Sequence, residues 1–231
     1  MNEHVEKDFA VMVANLLQTE FCKDWDPRLL HGFMGIASEG GELLTRYKDS
    51  MEVGGEPLDR TDTLIELSDL LHYMQMITGV LDSSLGKVSE GTKYLLTAVQ
   101  FHDEIAMISY CQRLHPVLLR GFLGIGSESG ELLNRYKKFI FYHGEPFTRS
   151  EMLTKLSKLL HYMLLIMDVF DSSLEEVVRI NMAKLGSRYP DGYTHDKAIT
   201  HHRDKKAERA AIDKIIDIFA TMREQKDIGG I

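Results

Sequence analysis

Four acidic residues of this chain stand at spacings that can do chemistry. Glu39 and Glu42 are three apart, and so are Glu66 and Asp69. Residues three apart on a helix share a face, so each pair would project from one side of its own element. If the two elements are antiparallel neighbours, four carboxylates converge. Like charges ~4 Å apart repel by roughly 4 kcal/mol at an effective dielectric near 20, so such a cluster needs protons, basic partners or a divalent cation. Hard oxygen donors select magnesium, and manganese fits the same set. Spacing alone leaves a second reading open, in which these acids are solvated faces or ion-pair partners.

An internal comparison bears on that choice. The segment LLHGFMGIASEGGELLTRYK from Leu29 returns as LLRGFLGIGSESGELLNRYK from Leu118, an offset of 89 residues. The offset holds without a gap through GEP (Gly55, Gly144), LLHYM (Leu70, Leu159) and DSSL (Asp82, Asp171). Residues 29–88 and 118–177 share 34 identities in 60, which makes the repeat a duplication and not chance. The same offset pairs Cys22 with Cys111 and Pro27 with Pro116, so the unit begins upstream of the strong match. Glu128 and Glu131 repeat the first acidic pair, but Lys155 and Lys158 stand where Glu66 and Asp69 stand in the first copy. A lysine on the facing helix neutralises a glutamate where the first copy would need a cation, so the second site is expected to be closed to metal. The competing reading is that these positions are exposed and free to drift.

Leu, Met, Glu and Lys recur at three- and four-residue spacing, with 5 prolines and no long β-branched alternation, so the expected fold class is all-α. Each unit reads as helices over about 4–21, 28–50 and 60–81 with a shorter run after 83, repeated from about 93. Pro27 and Pro116 suit first helical turns, and GEP and DSSL carry turn and N-cap chemistry. Between Ser84 and His115 the strongest breaker is Gly91, so the last helix of the first unit is open to running into the second unit. The expected division is residues 1–92, 93–190 and a tail of 191–231. In that tail Ile212, Ile215, Ile216, Phe219 and Met222 form an apolar stripe over Ala207 to Arg223, which must dock on this chain or on a neighbour, leaving a homo-oligomer through this helix open.

With these residues in view, Glu39-x-x-Glu42 and Glu66-x-x-Asp69, framed by ASEGGELL and ELSDLLHYM, resemble the MazG-like all-α nucleoside triphosphate pyrophosphohydrolases. The segment Asn181-x-x-Lys184-Leu185-x-x-Arg188-Tyr189-Pro190 is similar to the tail of that family, and the match covers most of residues 28–200. The resemblance implies that Glu39, Glu42, Glu66 and Asp69 bind magnesium, that Glu39 or Glu42 orients or deprotonates a water, and that Lys48, Lys184 and Arg188 contact phosphate. It also implies a covalent pseudo-dimer with a four-helix core, acting on an NTP or dNTP to give the monophosphate and pyrophosphate. Two departures stand out. Ser38 and Ser127 occupy a position where the family often has glutamate, and the Asn/Lys/Arg/Tyr tail follows only the second unit.

Other features carry less. The formal charge of −8 argues against duplex nucleic acid, whose phosphates are held by clustered Lys and Arg. The first residues lack a basic start and apolar run, and no stretch reaches membrane-spanning length, so the expected location is cytoplasmic with no membrane partner. Cys22 and Cys111 are the two cysteines and read as buried thiols. His72 and His161 occupy equivalent positions; Asp69-x-x-His72 has di-iron spacing, but Lys158 precedes His161, and packing histidines are the competing reading. The basic run from His195 to Arg209 reads as a solvated turn or a phosphate contact. An inactive nucleotide-binding or scaffold protein is the alternative to an enzyme.

Overall fold

The computed structural model describes residues 26–52, 55–98, 115–142, 144–190 and 204–228. Regular structure among them is helical throughout: α1 Pro27–Met51, α2 Arg60–Val80, α3 Leu85–Ala98, α4 Pro116–Phe141, α5 Arg149–Val169, α6 Leu174–Arg188 and α7 Lys205–Ile228. The expected all-α class is what the chain adopts. The predicted helix at 4–21, both cysteines, the junction after α3 and the histidines of the basic run, His195, His201 and His202, lie outside the described residues.

Local signals set the helix ends. Pro27 and Pro116 occupy the first turns of α1 and α4, where a missing N–H costs nothing. The Asp26 side chain caps α1, Asp59 caps α2, and Thr148 with Glu151 forms a capping box on α5. Asp82 and Asp171, equivalent in the repeat, both take a left-handed φ of 48° just past the helices they terminate. Aspartate tolerates that conformation better than most residues.

On α1, Phe33, Ile36, Gly40, Leu43 and Tyr47 fall at alternating three- and four-residue steps, one stripe down the helix, and all are buried. The equivalent stripe on α4 faces it. Tyr47 stacks on Phe122 at 4.7 Å, its counterpart Tyr136 packs on Phe33 at 4.9 Å, and a Cβ on Gly40 would lie 2.8 Å from Oγ of Ser129, its own counterpart. The two helices therefore cross antiparallel about that point, and glycine at 40 lets the backbones approach. Gly41, its neighbour, meets nothing within 4 Å. Helix α2 backs α1 and α5 backs α4 in the same way, with Gly35 against the Tyr73 ring and Gly124 against the Tyr162 ring.

The third helices change sides. Helix α3, which ends the first unit, packs on α5, while α6, which ends the second, packs on α2. Reciprocal arginines tie the exchange: Arg60 donates to the carbonyls of Phe170 and Asp171, and its counterpart Arg149 donates to those of Leu81 and Asp82. Helix α2 is thus touched on several sides. Leu64, Leu67, Leu70, Met74 and Ile77 are all fully buried there, each contributing about 1.5–3 kcal/mol of apolar burial.

Helix α7 lays the start of its stripe on this chain. Ile212 is buried and Ile215 and Ile216 are half-buried against the core, whereas Met222 is exposed. No helix among the described residues is long and apolar enough to cross a membrane.

Candidate metal centre

Antiparallel packing of α1 on α2 brings the acidic pairs to one place. One carboxylate oxygen each from Glu39, Glu42 and Glu66 lies within 4.8 Å of the others. Asp69, one turn further along α2, faces the same cleft, and its carboxylate accepts from the ammonium of Lys184. The cleft encloses about 740 Å³ and takes the remainder of its wall from His31, Ile65, His72 and Tyr73, from Lys184, Leu185, Gly186 and Arg188 at the end of α6, and from Tyr189 just past it.

Its electrostatics follow from crowding. Burial, together with the negative charges of Asp69, Glu42 and Glu66, pushes the Glu39 carboxyl up to about 7 against the pull of Lys184. Glu66 is also raised, first by burial, although Arg46 beside it pulls the other way. The Arg46 guanidinium donates to Glu66 Oε1 at 2.6 Å, so that carboxylate is already partly neutralised by a cation. Burial lowers His72, against the pull of Asp69, and raises Tyr73. His31, His72 and the Tyr73 ring, with His31 edge-on to Tyr73 at 5.7 Å, make the aromatic side of the cleft.

The exchange of third helices decides where the family-like tail acts. Lys184 and Arg188 lie at the end of the second unit, yet α6 delivers both to the acids of the first. Buried Asn181 fixes the register by donating to the Ser68 carbonyl at 2.9 Å, and Arg188 sits at the rim, bidentate to Glu208 of α7. At the same offset from Lys184, α3 carries Leu95, so the second unit receives no such lysine.

The second unit's acids are neutralised from within. Lys155, the counterpart of Glu66, lies 3.2 Å from Glu128 and 2.5 Å from Glu131. That contact holds the Glu131 carboxyl below its ordinary range. Lys155 is half-buried and paired with both glutamates, so drift at an exposed position does not describe it, while Lys158 acts on Glu131 through its charge. His161 is buried, and neither ring nitrogen has a hydrogen-bond partner among the described residues.

Six of the seven residues expected from sequence meet in this cleft: Glu39, Glu42, Glu66, Asp69, Lys184 and Arg188. Lys48 does not; it is exposed and 3.2 Å from Asp49, because its position six residues past Glu42 turns it away from the acidic face. Sequence reasoning missed His31, Arg46, Tyr73 and Glu208. Tyr73 stands four residues after Asp69 and His31 eight before Glu39, so helical spacing held a signal for both. Arg46 repeats as Arg135 but carries no motif, and Glu208 lies outside the repeat altogether. Comparison with family models, with curated proteins and with solved structures finds no match to this chain.

Proposed function

We propose that this chain is a magnesium-dependent nucleotide pyrophosphohydrolase, hydrolysing an NTP or dNTP between its α and β phosphates to give the monophosphate and pyrophosphate. The observation that carries the reading is a three-carboxylate cluster facing Lys184 and Arg188 across one cleft. Carboxylates and cationic side chains lining one cleft are what a metal-bound polyphosphate requires, and a cleft of this size suits a nucleotide. The donor set fits the ion: oxygen ligands only, close enough to share one hard cation, with excess negative charge once Arg46 and Lys184 are counted. Glu39, Glu42 and Glu66 would hold it, with Asp69 completing the set when Lys184 turns to substrate. When bound, the cation would lower the pKa of a water and offset phosphate charge.

The chain's own groups would do the rest. Lys184 and Arg188 bind phosphate oxygens, and the His31–Tyr73 side receives the less polar part of the nucleotide. Glu39 or Glu42 orients or deprotonates the attacking water. Oxygen from water becomes bonded to phosphorus, the bridging P–O bond breaks, and pyrophosphate leaves. In this reading the two halves form an intramolecular pseudo-dimer of MazG-like units with one working site, the protein is cytoplasmic, and neither membrane nor duplex nucleic acid is a partner.

Pyrophosphate release, assayed over canonical, deoxy and modified nucleotides with and without magnesium, tests this directly. Magnesium-dependent release from at least one nucleotide is expected; none from any would overturn the proposal, and binding without turnover would favour an inactive binder. Manganese titration tests the asymmetry. Glu66→Ala is expected to weaken binding by at least about ten-fold, while Glu131→Ala leaves it unchanged; equal losses would sink the one-site scheme.

The raised carboxyl of Glu39 fixes a pH dependence. Below about 7 that group carries a proton in the metal-free protein, which an incoming cation must displace. Manganese affinity should therefore rise with pH up to that point and flatten above it. Calorimetry in buffers of different ionisation enthalpy should register proton release below the break, and Glu39→Gln should remove the release. A flat profile from pH 6 to 8 would contradict the assignment.

A further inference from the structure

We propose that the C-terminal helix α7 belongs to the catalytic apparatus, with Glu208 the positioning residue that aims the Arg188 guanidinium into the cleft; this rests on the pyrophosphohydrolase reading. Arg188 is the last residue of α6, at a helix end where the chain turns away through Tyr189 and Pro190. A free arginine there would sample many rotamers, each charged group solvated in a different place. Glu208 prevents this. The residue is 4% exposed, and its carboxylate accepts from Nε and Nη2 of Arg188, both at 3.0 Å. A guanidinium presents five N–H donors in a rigid fork, so the bidentate grip fixes the plane of the group while leaving donors for a second anion.

Pinning α7 to the protein does not require this pair. Ile212 is buried, and Arg223 donates to Glu176 at 3.0 Å near the other end of the helix. Burying a carboxylate and a guanidinium merely to fasten a helix is poor use of both, since apolar side chains of similar volume do as well or better. What distinguishes the Arg188–Glu208 pair is its place: Arg188 lines the acidic cleft, and Glu208 does not.

The test is a cycle in the full-length chain. Glu208→Gln keeps the shape and one acceptor but loses the charge-assisted fork. It should lower kcat/KM about ten-fold, mainly by raising KM, as expected when a binding group loses its alignment. Arg188→Ala should cost at least as much, and adding Glu208→Gln to it should cost less than about two-fold more, because the glutamate acts through the arginine. Arg223→Ala, a folding control, should lower Tm but leave kcat/KM within about two-fold. Unchanged or improved kcat/KM in Glu208→Gln, or an equal loss with and without Arg188, would overturn the proposal. Should the parent protein release no pyrophosphate from any nucleotide, the functional reading fails separately. Calorimetry with magnesium tripolyphosphate then decides: weaker binding by Glu208→Gln sustains the positioning role, and equal or absent binding ends it.

Discussion

Glu42→Gln and Asp69→Asn are each expected to abolish pyrophosphate release, with activity on the order of 10³-fold below the parent or lower. Each change preserves volume and one oxygen but removes a negative charge from the cleft. Loss of a group that only orients a metal ligand costs roughly 10–100-fold, so loss of a ligand itself should exceed that. Asp69→Asn has a second consequence. Lys184 is buried and its ammonium is held by the Asp69 carboxylate, so the variant leaves a cation facing a neutral amide. Substrate phosphate would then bind without its metal, and KM can fall while kcat collapses. Circular dichroism and Tm should show that both variants stay folded, since neither Glu42 nor Asp69 belongs to the apolar core. A fully active Asp69→Asn protein would rule out the four-carboxylate scheme.

Glu176→Ala is expected to be among the most destabilising single changes in the chain. The carboxylate is wholly buried and accepts from Arg60 at 2.9 and 3.0 Å, from Arg223 at 3.0 Å and from Ser172 at 2.8 Å. Arg60 belongs to the first unit and Arg223 to α7, so one side chain joins three parts of the structure. Removing one partner of a buried charged network costs about 3–5 kcal/mol, because it strands the others. For a chain of this size that is a fall in Tm of roughly 6–20 °C. The repeat supplies its own control. Lys87 occupies the equivalent position, is exposed, and Arg149 there makes do with backbone carbonyls. Lys87→Ala should change Tm by less than about 2 °C, as exposed substitutions usually do. Similar shifts for the two variants, measured by calorimetry, would show that Glu176 is not a hub.

Much of this site was legible in the residues because the relevant rule is local. Helical periodicity puts Glu39 with Glu42 and Glu66 with Asp69 on shared faces wherever those helices go. The lysine exchange in the second unit was equally readable, since an apolar frame that stays constant while acids become bases points to compensation on a facing helix. Lys48 lies away from the cleft for the same local reason: six residues is not a helical neighbour distance, and the side chain turns out to the solvent beside Asp49.

By itself, the sequence determined the helical class, the duplication, the shared faces of the acids and the helix ends at Pro27 and Pro116, all of which depend on residues near one another in the chain. Tertiary structure alone decided the rest. That α6 crosses to the first unit, that Lys184 meets Asp69 and Arg46 meets Glu66, and that Glu208 reaches Arg188 are consequences of which buried surfaces fit together. Such contacts join residues as much as 115 positions apart. No spacing rule reaches that far, because the energy that selects them is the packing of whole helices and not the preference of any segment.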